Sequence, residues 1–190
     1  MISSLRTLLA PISDSTLMKP KSISFPAFFI TLLSLSPAIA DAPLDDELSQ
    51  AMRLPPDVEQ GRIIFGELCA QCHGEDAWGT YSGDFPQLAG QHRSVIIKQL
   101  ADIRAGNRDN PKMYPVAREA VMGGPQAISD VAAYLETLPM DPDPDIGEGE
   151  DLEKAERLYR EGCSSCHGAS GEGNQELFYP LIRGQHYEYL

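Results

Sequence analysis

Two short stretches hold the residues of this chain whose types and spacing could do chemistry: Cys69-Ala70-Gln71-Cys72-His73 and Cys163-Ser164-Ser165-Cys166-His167. In each, two thiols stand three residues apart on one face of a helical turn, and an imidazole follows at once. Thiols so placed can each reach one of two vinyl groups on a single macrocycle, with the imidazole over its iron. Cys-x-x-Cys-His is the attachment signature of c-type haem. The two copies use all four cysteines of the chain, which implies two covalently attached haems with His73 and His167 as iron ligands.

Three other uses of the thiols compete. A thioredoxin-like Cys-x-x-Cys belongs to a strand–helix setting in a parallel sheet, and no βαβ pattern surrounds either copy. A zinc site could take four cysteines, but an adjacent Cys and His in each copy space poorly for a tetrahedron. A structural disulfide suits an oxidising compartment, yet it has no need of a histidine twice.

The surrounding composition narrows the class. With 190 residues and 42% hydrophobic side chains the chain suits one or two small globular domains. Aromatics make up only 7%, so aliphatics and the haem must fill the core. A net charge of -13 argues against nucleic acid or an anionic membrane surface as partner. It favours a partner with a basic docking patch, or serves solubility alone.

At the N-terminus, Lys19-Pro20-Lys21 precedes an apolar run from Ile23 to Leu35, then Ala38-Ile39-Ala40 and Asp41. This order is that of a secretory signal peptide over Met1–Ala40, cleaved near Ala40, and Met18 is an alternative start. The run is shorter than the roughly 20 residues a membrane span needs. The expected compartment is the periplasm, and haem attachment outside the cytoplasm agrees with it.

The remaining chain reads as four segments. Residues 41–56 are acidic and polar and predict a flexible leader. A first domain covers 57–139. Asp57 is a natural N-cap, and Val58, Ile64, Phe65 and Leu68 carry helical spacing into Cys69. Ser94–Ala105 predicts a second helix stopped by Gly106, and Ile128–Leu138 a third ended by Pro139. Residues 140–149, acidic and rich in proline, predict a stiff linker that sets a spacing without contributing a core. Residues 150–190 begin a second domain that repeats the first at a constant offset of 94. Leu152, Leu158 and Tyr159 match Val58, Ile64 and Phe65, and Gly90-Gln91-His92 matches Gly184-Gln185-His186.

Leu88-Ala89-Gly90-Gln91, Lys98-Gln99-Leu100, the run from Asp102 to Arg108 and the run from Asp130 to Leu135 resemble the dihaem cytochrome c-four family. The resemblance implies an all-α fold of tandem class I cytochrome c domains, here with the second one incomplete. It implies a methionine as sixth ligand of the first iron. Met113, which follows Arg108 at the family's spacing, is favoured over Met122; whichever is not the ligand reads as core filling. The counterpart of Met113 would fall near position 207, so the chain reads as a fragment or truncated gene product. The rival is a functional short form with an open second iron.

The resemblance also assigns the carbonyls of Pro86 and Pro180 to hold the other ring nitrogen of His73 and His167. Arg104 and Arg108 stand where propionates could be met, or are solvated surface charges. His92 and His186 read as capping or surface residues, and Trp78 is unassigned. The implied function is electron transfer between respiratory partners by a periplasmic dihaem carrier, not an enzyme. The implied partners are a quinol-oxidising complex or dehydrogenase on one side and a terminal oxidase or reductase on the other, with any membrane association through a partner. The alternatives are a haem enzyme such as a dihaem peroxidase, or the cytochrome subunit of a dehydrogenase.

Overall fold

A computed structural model describes residues 46–190; the expected signal peptide and the start of the leader lie outside them. The leader expectation fails for its second half. Glu47–Arg53 form helix α1, whose N-cap Asp46 accepts the Ser49 N–H at 2.7 Å. Leu48, Ala51 and Met52 share one face of it, and Ala51 is fully buried. The last carbonyls of a helix lack partners of their own. Here Arg93 donates to Ala51 O at 3.0 Å and Leu54 O at 3.3 Å, so a segment that looks mobile by composition is tied down by a distant guanidinium.

Helix α2, Val58–Ile64, starts at Asp57, whose carboxylate accepts the N–H groups of Glu59 and Gln60, both at 3.0 Å. The Asp57 N–H itself donates to Asp130 at 2.8 Å, which locks α2 to the last helix of the first repeat. A Cβ on Gly61 would lie 2.1 Å from Asp130 O, so only glycine permits the crossing. A single π-helical turn, Phe65–Cys69, then leads into α3, Ala70–His73. Helix α4 spans Arg93–Ala105 and ends at Gly106 in the left-handed conformation, φ 75°, as expected. Two one-turn helices, α5 (Tyr114–Ala117) and α6 (Glu119–Met122), precede α7, Pro125–Thr137. α7 starts three residues ahead of the expected Ile128, because Pro125 suits the first turn of a helix.

The core lies among α1, α2, α4 and α7, centred on Phe65, Ile97, Ile128 and Leu135. Phe65 meets the Tyr134 ring at 5.6 Å between centroids. In the second repeat, α8 (Leu152–Leu158), a π turn (Tyr159–Cys163), α9 (Ser164–His167) and a 3-10 turn (Tyr187–Tyr189) keep the same plan. Nothing in α8 is buried, and Leu152 and Leu158 are exposed. The all-α class holds: among the described residues the only β pairing is an isolated bridge, Asn174–Tyr179.

The linker is more than a spacer. Asp141 is buried; its N–H donates to Gln87 at 2.7 Å and its carboxylate accepts the Tyr81 hydroxyl at 3.0 Å. Gly147 lies under the Tyr187 ring, where a Cβ would meet ring carbon at 2.4 Å. Acidic and proline-rich composition marks a connector, but it does not reveal that the connector's carboxylates find partners in both repeats.

Candidate haem sites

The two attachment turns are built alike. In each, the N–H after the first cysteine returns to the carbonyl five residues back: Ala70 to Phe65 O, and Ser164 to Tyr159 O. An extra residue in one turn rotates the side chains after it by about 100°. The π turn therefore lets Phe65 face the helical core while Cys69, Cys72 and His73 line a cavity. Hydrophobic spacing gave no sign of it, because a one-residue slip looks like ordinary helix in sequence.

That cavity, about 340 Å³, has largely apolar walls from Leu68, Leu88, Ile96, Leu100 and Ile103, with His73 and Met113 among its lining residues. The His73 side chain is buried, and its Nδ1–H donates to Pro86 O at 3.0 Å. Nε2 is thereby left as the bare nitrogen. Burial pushes the His73 imidazole below its ordinary pKa, against the Pro86 bond, and so favours the neutral form that binds metal. His167 repeats the hydrogen bond, from Nδ1 to Pro180 O at 2.9 Å. The prolines thus stand where the family resemblance put them. All four cysteines are free; burial, with neighbouring Cys72, pushes the Cys69 thiol up to about 11. Among the described residues no three His, Cys, Asp or Glu side chains converge as a zinc site requires. A buried imidazole with a bare Nε2, free thiols three residues apart and an apolar cavity fit covalent haem.

The two candidate methionines part company. Met113 stands in the cavity wall, its N–H held by Asn110 at 3.0 Å and its carbonyl accepting from Ala117 at 2.9 Å. Met122 is buried in the helical core, outside that lining. The two arginines also differ. Arg104 is turned away from the cavity: its buried guanidinium pairs with Glu47 and donates to Ala117 O and, at 2.6 Å, to Gly123 O. Neither the propionate reading nor the surface reading describes it; it braces the loop that carries Met113. Arg108 does line the cavity, and it donates to Gln99 and, at 3.2 Å, to the Tyr189 hydroxyl.

The sequence reading missed the interface between the repeats. Gln91 and the Leu181 backbone exchange two bonds, 2.8 and 2.9 Å; Gln185 and the Gln87 backbone exchange two more, 3.0 and 2.9 Å. At the offset of 94 Gln91 corresponds to Gln185 and Gln87 to Leu181, so the second pair is the first with the repeats exchanged, and the repeats face each other across a local pseudo-twofold axis. Met140 of the linker packs between Gly90 and Gly184, where a Cβ at either would come within 2.7 Å of its side chain. His92 and His186 are not surface residues: each turns into the opposite repeat, to Glu172 O at 2.8 Å and Trp78 O at 2.6 Å. Trp78 also donates from its indole to Pro139 O at 3.0 Å, which gives that residue its place. The cavity is lined from both sides, by Pro86, Leu88 and Gln91 and by their counterparts Pro180, Ile182 and Gln185.

Comparison with known proteins agrees with this arrangement. The family description "Cytochrome c" matches residues 58–139 and 152–190. Cytochrome c4 of Thiocapsa roseopersicina is 34% identical over 145 residues, covering 70% of each chain. Cytochrome c4 of Azotobacter vinelandii is 32% identical, covering 65% of this chain and 64% of its own. A "Thiosulfate dehydrogenase electron acceptor" of Stutzerimonas stutzeri (strain A1501) is 39% identical, covering 64% of this chain and 59% of its own. The chain thus spans about three fifths of the length of these last two relatives. Among solved structures, reduced recombinant cytochrome c4 from Pseudomonas stutzeri superposes with a TM-score of 0.62 at 28% identity, covering 71% of this chain and 76% of that one. With one attachment turn and its histidine in each of two repeats joined by a bonded interface, the chain belongs to the cytochrome c family, as a dihaem, cytochrome c4-like member.

Proposed function

We propose that this protein is a periplasmic two-haem electron carrier, exported on a signal peptide over Met1–Ala40. The observation that carries the reading is the cavity lined by matching residues of both repeats, with an attachment turn on either side of one bonded interface. Bound haem iron supplies one-electron redox chemistry. Cys69 and Cys72 hold the first macrocycle, and Cys163 and Cys166 the second. His73 and His167, oriented by the proline carbonyls, would each bind one iron. Met113, in the wall of the first cavity, would be the second protein ligand there; such a ligand raises the potential and excludes exogenous ligands, which suits a carrier.

The relatives support redox proteins as partners. One is described as the electron acceptor of a thiosulfate dehydrogenase, and another as a cbb3-type oxidase subunit of Bradyrhizobium diazoefficiens. A dehydrogenase or quinol-oxidising complex on the donor side and a terminal oxidase or reductase on the acceptor side fit this pattern. The acidic charge, -13 for the chain, favours partners with basic docking patches.

A redox titration of the haem-loaded chain tests the reading. A carrier takes up one electron per haem, and its first haem binds no carbon monoxide when reduced. Met113→Ala abolishes the weak near-infrared sulfur-to-iron band and admits carbon monoxide at that haem. Persistence of the band rules out Met113 as ligand. Peroxide turnover by the unaltered protein would replace the carrier with a haem enzyme.

A further inference from the structure

His92 and His186 hold matching places in the two repeats, but the linker breaks their symmetry. His92 has its Nε2 against Glu172 O, a contact that one N–H satisfies. His186 has Nε2 against Trp78 O at 2.6 Å and also Nδ1 against the Asp145 carboxylate at 2.6 Å, and only 1% of the residue is exposed. The linker passes beside this ring and supplies Asp145. The same carboxylate accepts the Tyr187 N–H at 3.1 Å.

A neutral imidazole has one N–H and one bare nitrogen. Here either neutral tautomer would aim a lone pair at an oxygen 2.6 Å away, in a place closed to water. An unmet acceptor pressed on an acceptor is costly when buried. With the Asp145 carboxyl ionised, as its lowered pKa favours, only the ring with both nitrogens protonated satisfies both contacts. We propose that His186 is held as an imidazolium between Asp145 and the Trp78 carbonyl, and that this charged clamp is the positioning residue that sets the second haem domain against the first.

The charged groups around the ring are acidic. Asp145 touches it directly. Tyr81 packs edge-on at 5.2 Å, and its hydroxyl, donated to Asp141, is held above its ordinary pKa by that bond and by the charges of Asp141, Asp143 and Asp145. The His186 bond in turn holds the Asp145 carboxyl below its ordinary value. Because the folded chain lowers the Asp145 pKa, its contribution is complete above the ordinary carboxylate range and is lost on acidification.

Hydrogen exchange of the full, haem-loaded chain near pH 6 reads the clamp through the amides of Asp141, Leu181 and Tyr187. Asp145→Asn and His186→Gln are each expected to lower protection at these amides about tenfold, and His92→Gln to lower it less. Unchanged protection in Asp145→Asn and His186→Gln overturns the proposal. Should the His186 variant fail to pack, the 15N shifts of the His186 ring in the unaltered protein decide: two protonated nitrogens near pH 6 support the clamp, and one bare nitrogen ends it. Its failure leaves the haem assignment untouched, because no haem ligand takes part.

Discussion

The first and second repeats share a local design and differ in what covers it. Both carry a short helix, a π turn, the Cys-x-x-Cys-His turn and a proline carbonyl on the histidine, with Nδ1 distances of 3.0 and 2.9 Å. Yet α2 is pinned to α7 through Gly61, Asp57 and Phe65, whereas α8 buries none of its residues. Ala155 stands at the position of Gly61, so a helix crossing α8 there must stand further off by a methyl group. The attachment turn is therefore a local object that short-range bonds can build alone, while the helical core needs partners from far along the chain.

Substitutions in the two repeats probe that difference. Phe65→Ala in the core should cost about 3–5 kcal/mol, whereas Leu158→Ala on the exposed face of α8 should stay within about 0.5 kcal/mol. Urea denaturation of the haem-loaded chains measures both, and equal losses would show that α8 is covered in solution. Next in size, Gly61→Ala drives a methyl into the Asp130 carbonyl and should cost about 1–3 kcal/mol; the reverse change, Ala155→Gly, should cost no more than about 1 kcal/mol, from helix propensity alone. Thermal melts compare the pair, and similar shifts would erase the distinction between the two crossings.

The smallest effect concerns the loops after each histidine. Glu172, at the position of Trp78, is held down to about 2, chiefly by backbone N–H bonds including that of Ser170 at 2.8 Å, and then by the Ser170 hydroxyl at 2.9 Å. Because its pKa is lowered in the folded chain, its contribution is complete above the ordinary carboxylate value. It fades as pH falls toward about 2. Amide exchange at residues 168–173 should rise across that interval in the unaltered chain and lose this acid step in Glu172→Gln. The matching loop of the first repeat, held by the Trp78 indole, should show none.

What could be read from sequence had short reach. The Cys-x-x-Cys-His turns, the Asp57 cap, the Gly106 stop and the inward faces of α4 and α7 each depend on residues within a few positions of one another, and the offset of 94 is the recurrence of such local patterns. The proline carbonyls came through family likeness and were found in place. The sequence alone thus determined the cofactor chemistry, the all-α class and the duplication, because helical period, capping and thiol spacing are written locally. Only the tertiary structure decided that residues 47–53 are a packed helix, that the acidic linker joins the interface, and that Arg104 braces a loop. It alone set His186 against Trp78, 108 positions away. The physical reason is that a buried polar group takes whichever partner the fold brings near, and the partner's identity leaves no periodic trace along the chain. For Cys69, Cys72 and His73 the turn itself is the message; for the surface that joins the two haem domains, the message exists only once both have folded.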